Sequence, residues 1–145
     1  MNTITTILVD TSAWYALAAA DDAHHPEAKK FYQSQRGKAR WVATDLILAE
    51  TFTLLNLRLG RSSAIRFWET LRQLGTAVLC LDPVDLEAAW HITQAWNDQS
   101  FSLVDCTSFA LMERLGITQV FAFDQHFLIY RYGLQRQLAF QRMPR

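Results

Sequence analysis

The sequence predicts an α/β fold, a three-layer α/β/α sandwich around a mostly parallel central sheet of 4–5 strands. Three observations carry this. Short apolar runs of strand length alternate with longer segments of helical period. The stretches between most strands are long enough for crossover helices rather than hairpins, which makes the strands parallel and covers the sheet on both faces. No repeat, linker or low-complexity segment interrupts the pattern, so the 145 residues are expected to form one domain with a substantial core.

The elements follow in order. Residues 6–9, centred on Ile7-Leu8-Val9, read as the first strand and 12–20 as a helix. Asp21-Asp22 breaks the pattern, and His25-Pro26 starts a helix to about residue 35, Pro26 suiting its first turn. Trp41-Val42-Ala43 is a short extended piece. A long helix from Asp45 is expected to end in a left-handed cap at Gly60, with Ser62 capping the next helix as far as Gly75. Residues 77–81 read as a strand, and Asp82-Pro83 opens a helix ending near Asn97. The helix around Asp105 stops at Gly116, residues 120–122 form a strand, and 125–130 a helical turn. Residues 134–140 are expected to form a last edge strand.

Acidic and basic side chains balance at 14 each, but the basic ones are unevenly placed. Arg131, Arg136, Arg142 and Arg145 follow Tyr130 with no acid among them, and Arg58, Arg61, Arg66 and Arg72 face Glu69 alone. Lys29, Lys30, Arg36, Lys38 and Arg40 form a third group. Each group alone reads as a solvated helix face; around an acidic centre, together, they suit a polyanion, because arginine contacts phosphate through paired donors. No segment long enough to span a bilayer is free of charge, and no Lys or Arg precedes Asp10, so neither membrane contact nor a secretion signal is expected. The expected location is cytoplasmic. Cys80 and Cys106 lack metal or disulfide spacing and are expected to be buried free thiols. Trp14, Trp68, Trp90 and Trp96 fall on helices and are assigned to core packing, while Trp41, in a basic segment, is the candidate for stacking on a base.

Four acids stand out because each lies in or beside an apolar segment, where a lone carboxylate is costly to desolvate. Asp10 follows Ile7-Leu8-Val9, Glu50 lies inside the apolar helix Leu46 to Leu55, Asp105 opens the helix after Val104, and Asp124 follows Val120-Phe121-Ala122-Phe123. Two acids at strand ends and two on helices can converge on the crevice at the carboxyl edge of the sheet. Each also has a local explanation. Asp10 and Asp124 suit helix N-caps, Ser102 and Asp105 have capping-box spacing, and Glu50 suits a wet helix stripe. Of these, Glu50 is explained least, since it lies beyond the first turn of its helix. Asp21, Asp22, His24 and His25 read as turn and capping chemistry, and His126 as a surface residue.

These segments resemble the PIN domain, and within it the VapC-type toxins of bacterial toxin–antitoxin pairs. The resemblance rests on Val9-Asp10-Thr11-Ser12-Ala13-Trp14, Thr44-Asp45-Leu46-Ile47-Leu48-Ala49-Glu50-Thr51, Phe101-Ser102-Leu103-Val104-Asp105-Cys106 and Ala122-Phe123-Asp124-Gln125-His126-Phe127, in that order across nearly the whole chain. The chain departs at Ala122, where the family often carries Thr or Ser. The resemblance implies an endoribonuclease leaving 5′-phosphate and 3′-hydroxyl ends, with tRNA or ribosomal RNA as substrate. It also implies a homodimer and a cognate antitoxin laid over the acidic crevice. The family includes members of weak activity, so the alternative is a PIN-fold module that binds RNA or a partner protein without cutting.

Clustered carboxylates repel one another, and a divalent cation neutralises them. An oxygen-only donor set favours Mg²⁺ or Mn²⁺ over Zn²⁺. Asp10 and Asp105 are the expected direct ligands, Asp124 an outer or second-metal ligand, and Glu50 the group that orients or deprotonates water. Ser12 and Thr44 are expected to hold waters. A receiver-domain reading fails because all three lysines, Lys29, Lys30 and Lys38, lie early in the chain. A haloacid-dehalogenase reading fails because Ser12 stands where a second Asp is required.

Overall fold

A computed structural model describes residues 3–145. Five strands, β1 (Thr5–Val9), β2 (Ala39–Thr44), β3 (Ala77–Leu79), β4 (Gln119–Phe121) and β5 (Gln141–Met143), form one sheet in the order β3-β2-β1-β4-β5. Every pairing is parallel. The helices between them are α1 (Thr11–Ala18), α2 (His25–Gln35), α3 (Asp45–Leu59), α4 (Arg61–Gln73), α5 (Pro83–Ala95), α6 (Leu103–Leu115) and the short α7 (His126–Ile129). Right-handed crossovers place α1 to α4 on one face of the sheet and α5 and α6 on the other. The packing agrees, with α3 against α4, α1 against α2 and α3, and α5 against α6. Among the described residues no helix is long and apolar enough to cross a membrane.

This topology decides where a site can be. From β1 the chain steps outward to β2 and β3, then returns across the sheet to β4 on the other side of β1. At that reversal the connections leave β1 and β4 toward opposite faces and open a crevice at their carboxyl ends. Asp10 ends β1, and Asp124 lies shortly after β4. Strand β1 is wholly apolar in its buried half, Ile7, Leu8 and Val9 being sealed on both faces, so its end is rigidly placed. Phe31 packs edge-on against Trp41 and Phe121, which are tilted to each other, and Phe109, Tyr130 and Phe140 stack in a second aromatic group.

Several sequence expectations are corrected. The last strand is not residues 134–140. Gly133, Gln135 and Arg136 take positive φ in a 3₁₀ turn at Leu134–Arg136, and Tyr132 bridges back to Leu138 in antiparallel sense. Phe140 is buried against Tyr132, so the apolar residues there pack rather than pair, and the strand begins only at Gln141. Gly60 has φ 97° and ψ 167°, a mirror-extended conformation rather than a left-handed helical cap, and it ends α3 and begins α4 together. Ser62 therefore lies inside α4 and caps nothing. Cys106 is buried, but Cys80 is exposed, since it follows the short edge strand β3. Trp41 is buried and stacked on Tyr32, so it cannot receive a base, whereas Trp68 and Trp90 are exposed instead of joining the core.

Candidate metal and nuclease site

A cavity of about 450 Å³ opens at the switch point, and Asp10, Glu50, Asp105 and Asp124 all line it. Each acid arrives by its own local logic. Asp10 is the N-cap of α1: its Oδ2 accepts from the Ser12 amide at 3.2 Å and the Ser12 hydroxyl at 2.8 Å. The same hydroxyl accepts from the Phe123 amide at 3.0 Å, tying the exit of β1 to the exit of β4. Asp105 completes a capping box on α6, the Ser102 hydroxyl accepting from its amide at 3.0 Å and its Oδ2 from the Ser102 amide at 2.9 Å. Asp124 Oδ1 accepts from the His126 amide at 3.0 Å. Glu50 sits one and a half turns into α3, part-exposed, above the Thr11 hydroxyl to which Thr51 donates. Capping and site membership are thus compatible: a cap fixes a carboxylate at a helix start and leaves oxygens free to face the cavity.

His126 is the residue that sequence reasoning placed on the surface and that the structure places in the site. Its Nδ1 lies 2.6 Å from Asp105 Oδ2, and one atom each of Asp105, Asp124 and His126 lie within 4.8 Å of one another. The only sequence signal was its position two residues after Asp124. Asp22 and His24 also reach the rim, His24 stacked on Phe123 at 4.5 Å, while His25 turns away to the carbonyl of Ala16. Among the described residues Arg58 is the one Lys or Arg in the lining, its guanidinium over the Tyr15 ring at 5.5 Å. Thr44 does not line the cavity; it is buried and caps α3 through the Ile47 amide at 3.0 Å. Ser12 does line it, but its hydroxyl is engaged by Asp10 and Phe123. Ala122 is buried within the sheet edge and offers no hydroxyl, its amide bound to the Met143 carbonyl.

The electrostatics call for a cation. Burial, and then the charge of Asp124, push the Asp10 carboxyl up to about 7. Burial likewise raises Asp105, with Asp10 adding to it and the Ser102 bonds and His126 opposing. Glu50 is raised mainly by burial, with Thr11 opposing and Asp10 and Asp105 adding repulsion. Burial and mutual repulsion among these carboxylates, in a set dominated by hard oxygen donors, fit a divalent ion. Among the described residues Asp105, Asp124 and His126 form a group that could hold an ion, and Asp10 lies against Asp124.

The PIN domain family matches residues 7–132. The 23S rRNA-specific endonuclease VapC20 of Mycobacterium tuberculosis is 38% identical over 123 residues, covering 83% of this chain and 91% of that protein. The crystal structure of VapC20, described as a sarcin-ricin loop cleaving toxin, superimposes with a TM-score of 0.76 at 35% identity, over 82% of this chain and 90% of its own. A Pyrobaculum aerophilum protein, PAE2754, shares the fold at a TM-score of 0.53 and 21% identity, over 85% and 82% of the two chains.

Proposed function

Since the chain belongs to the PIN-domain family, we propose that it is a metal-dependent endoribonuclease hydrolysing RNA phosphodiester bonds, the toxin of a VapBC-type toxin–antitoxin pair. Convergence of Asp10, Glu50, Asp105 and Asp124 on one cavity is the observation that carries this reading. Asp10, Asp105 and Asp124 hold the ion, which is Mg²⁺ or Mn²⁺. When bound, the ion neutralises phosphate charge and makes water a stronger acid. Glu50, which lines the cavity beside Asp10 and Asp105 and whose proton affinity burial raises, accepts the proton of the attacking water. Arg58 takes a phosphate oxygen through its guanidinium edge while its face rests on Tyr15. Ser12 holds the two strand exits, and with them Asp10 and Asp124, at fixed separation.

Ribosomal RNA is the favoured substrate class, supported by the likeness to a 23S rRNA-specific enzyme, and the cytoplasm is where such a substrate is met. The antitoxin is expected to cover the acidic cavity. Leu57, Ile65 and Trp68, exposed on α3 and α4, support a homodimer through those helices. Incubation of the purified protein with ribosomal RNA or tRNA tests the activity. Cleavage is expected with Mg²⁺ or Mn²⁺, none with EDTA, and recovery on adding metal back. Asp10→Asn or Asp105→Asn is expected to lower the rate about 100-fold or more. RNA binding indifferent to EDTA, with no cleavage, would move the chain to the non-cutting binding module.

A further inference from the structure

We infer that the His126 imidazole is a nitrogen ligand to the cation held by Asp105 and Asp124, and that it biases the site toward Mn²⁺ over Mg²⁺. This rests on the metal-dependent nuclease reading and concerns one residue within it. Three observations support it. The Nδ1 of His126 is aimed at the Asp105 carboxylate, 2.6 Å from Oδ2, and shares the 4.8 Å cluster with Asp124, so one ion can reach all three groups. Its ring is held in that direction from both ends. The backbone amide is tied to Asp124 Oδ1 at 3.0 Å, and the ring stands edge-on to Phe101 at 5.4 Å, an aromatic wall that limits its rotation. Finally, the Ser102 amide and the His126 ring both meet the Asp105 carboxylate at Oδ2, so Oδ1 has no protein hydrogen bond among the described residues.

An ordinary surface ion pair explains less. Asp105 is only 5% exposed and already holds its capping bond, and exposed His–carboxylate pairs add little stability. A ligand role accounts for the ring's confinement and for its nearness to a second carboxylate. The chemical consequence follows from donor type. Mg²⁺ takes oxygen donors almost exclusively and keeps its waters, whereas imidazole nitrogen is a good donor to first-row transition ions. Mn²⁺ accepts carboxylate oxygen and imidazole together, so a set of carboxylates with one imidazole selects it over Mg²⁺.

Pulsed EPR on the chelator-stripped full chain reloaded with Mn²⁺ tests this without any turnover. The parent protein is expected to show the ¹⁴N modulation of a directly bound imidazole. His126→Asn should lose it while still binding Mn²⁺, and His24→Asn, from the rim, should retain it. Calorimetric titration should show the Mn²⁺ affinity of His126→Asn falling on the order of tenfold with Mg²⁺ affinity nearly unchanged. Bound Mn²⁺ without nitrogen modulation in the parent overturns the inference and spares the nuclease reading. So does modulation lost through His24, or an equal fall for both metals. A parent protein that binds neither metal overturns both.

Discussion

At the scale of single residues, Asp10 shows how a site is held at the expense of stability. Its carboxyl is raised from 3.8 to about 7, so between those values the folded chain keeps a proton that the unfolded chain has released. Stability of the metal-free protein therefore falls as pH rises through that window. Asp10→Asn resembles the protonated form and retains an oxygen for Ser12. In EDTA it is expected to melt about 3–6 °C above the parent at pH 8 and nearly with it at pH 4, by scanning fluorimetry. A variant that melts below the parent at pH 8 would show that the carboxylate is not strained. The four acids were legible in the sequence because each is a charge set in an apolar run. His126 was not: its partner Asp105 lies 21 residues away, and a lone histidine on a turn has no periodicity to betray it.

At the scale of elements, α6 is fastened at both ends. Ser102 and Asp105 close its first turn, and near its last turn Arg114 grips Asp85 of α5 with two bonds, Nε to Oδ1 at 2.6 Å and Nη2 to Oδ2 at 2.9 Å. Asp85 is fully buried, and the Arg114 hydrogen bonds hold its carboxyl below the ordinary 3.8. A depressed acid stabilises the fold above its unfolded value and loses that contribution as pH falls through the folded one. Asp85→Asn is thus expected to lower the urea midpoint at pH 7, with the gap to the parent narrowing below pH 3.8. A gap independent of pH would assign the effect to packing alone. The helices and the capping box of α6 were readable from Pro, Gly and Ser spacing. The final strand was not, because Leu138-Ala139-Phe140 looks like a strand by composition while Gly133 and two positive-φ residues turn the chain there, and the real strand, Gln141–Met143, opens with two polar residues.

At the scale of the whole molecule, alternation of strands and helices made the parallel sheet legible, and with it the crevice at the β1–β4 reversal. What local pattern cannot reveal is which helix face remains uncovered. Trp68 was assigned to the core by helical position, yet it is 46% exposed on α4, beside Phe52 and in company with Ile65. If these helices form the homodimer, Trp68→Arg is expected to give monomers in light scattering after size exclusion, with the far-UV spectrum unchanged. Dimers that persist would place the interface elsewhere.

The edge strand β5 pairs with β4 over three residues, and from it Arg142 Nη1 donates to the carbonyls of Phe123 at 3.1 Å and Asp124 at 2.8 Å. The turn bearing Asp124 and His126 is therefore braced from one of the two edge strands of the sheet. Short edge segments open in sub-global excursions at lower free energy than complete unfolding. Fraying of this one strand is expected to remove the Arg142 tie on the turn and leave the Ser12 tie at Phe123, while the remaining sheet persists. The time for which the molecule is folded and the time for which it is competent are, on that account, two separate quantities.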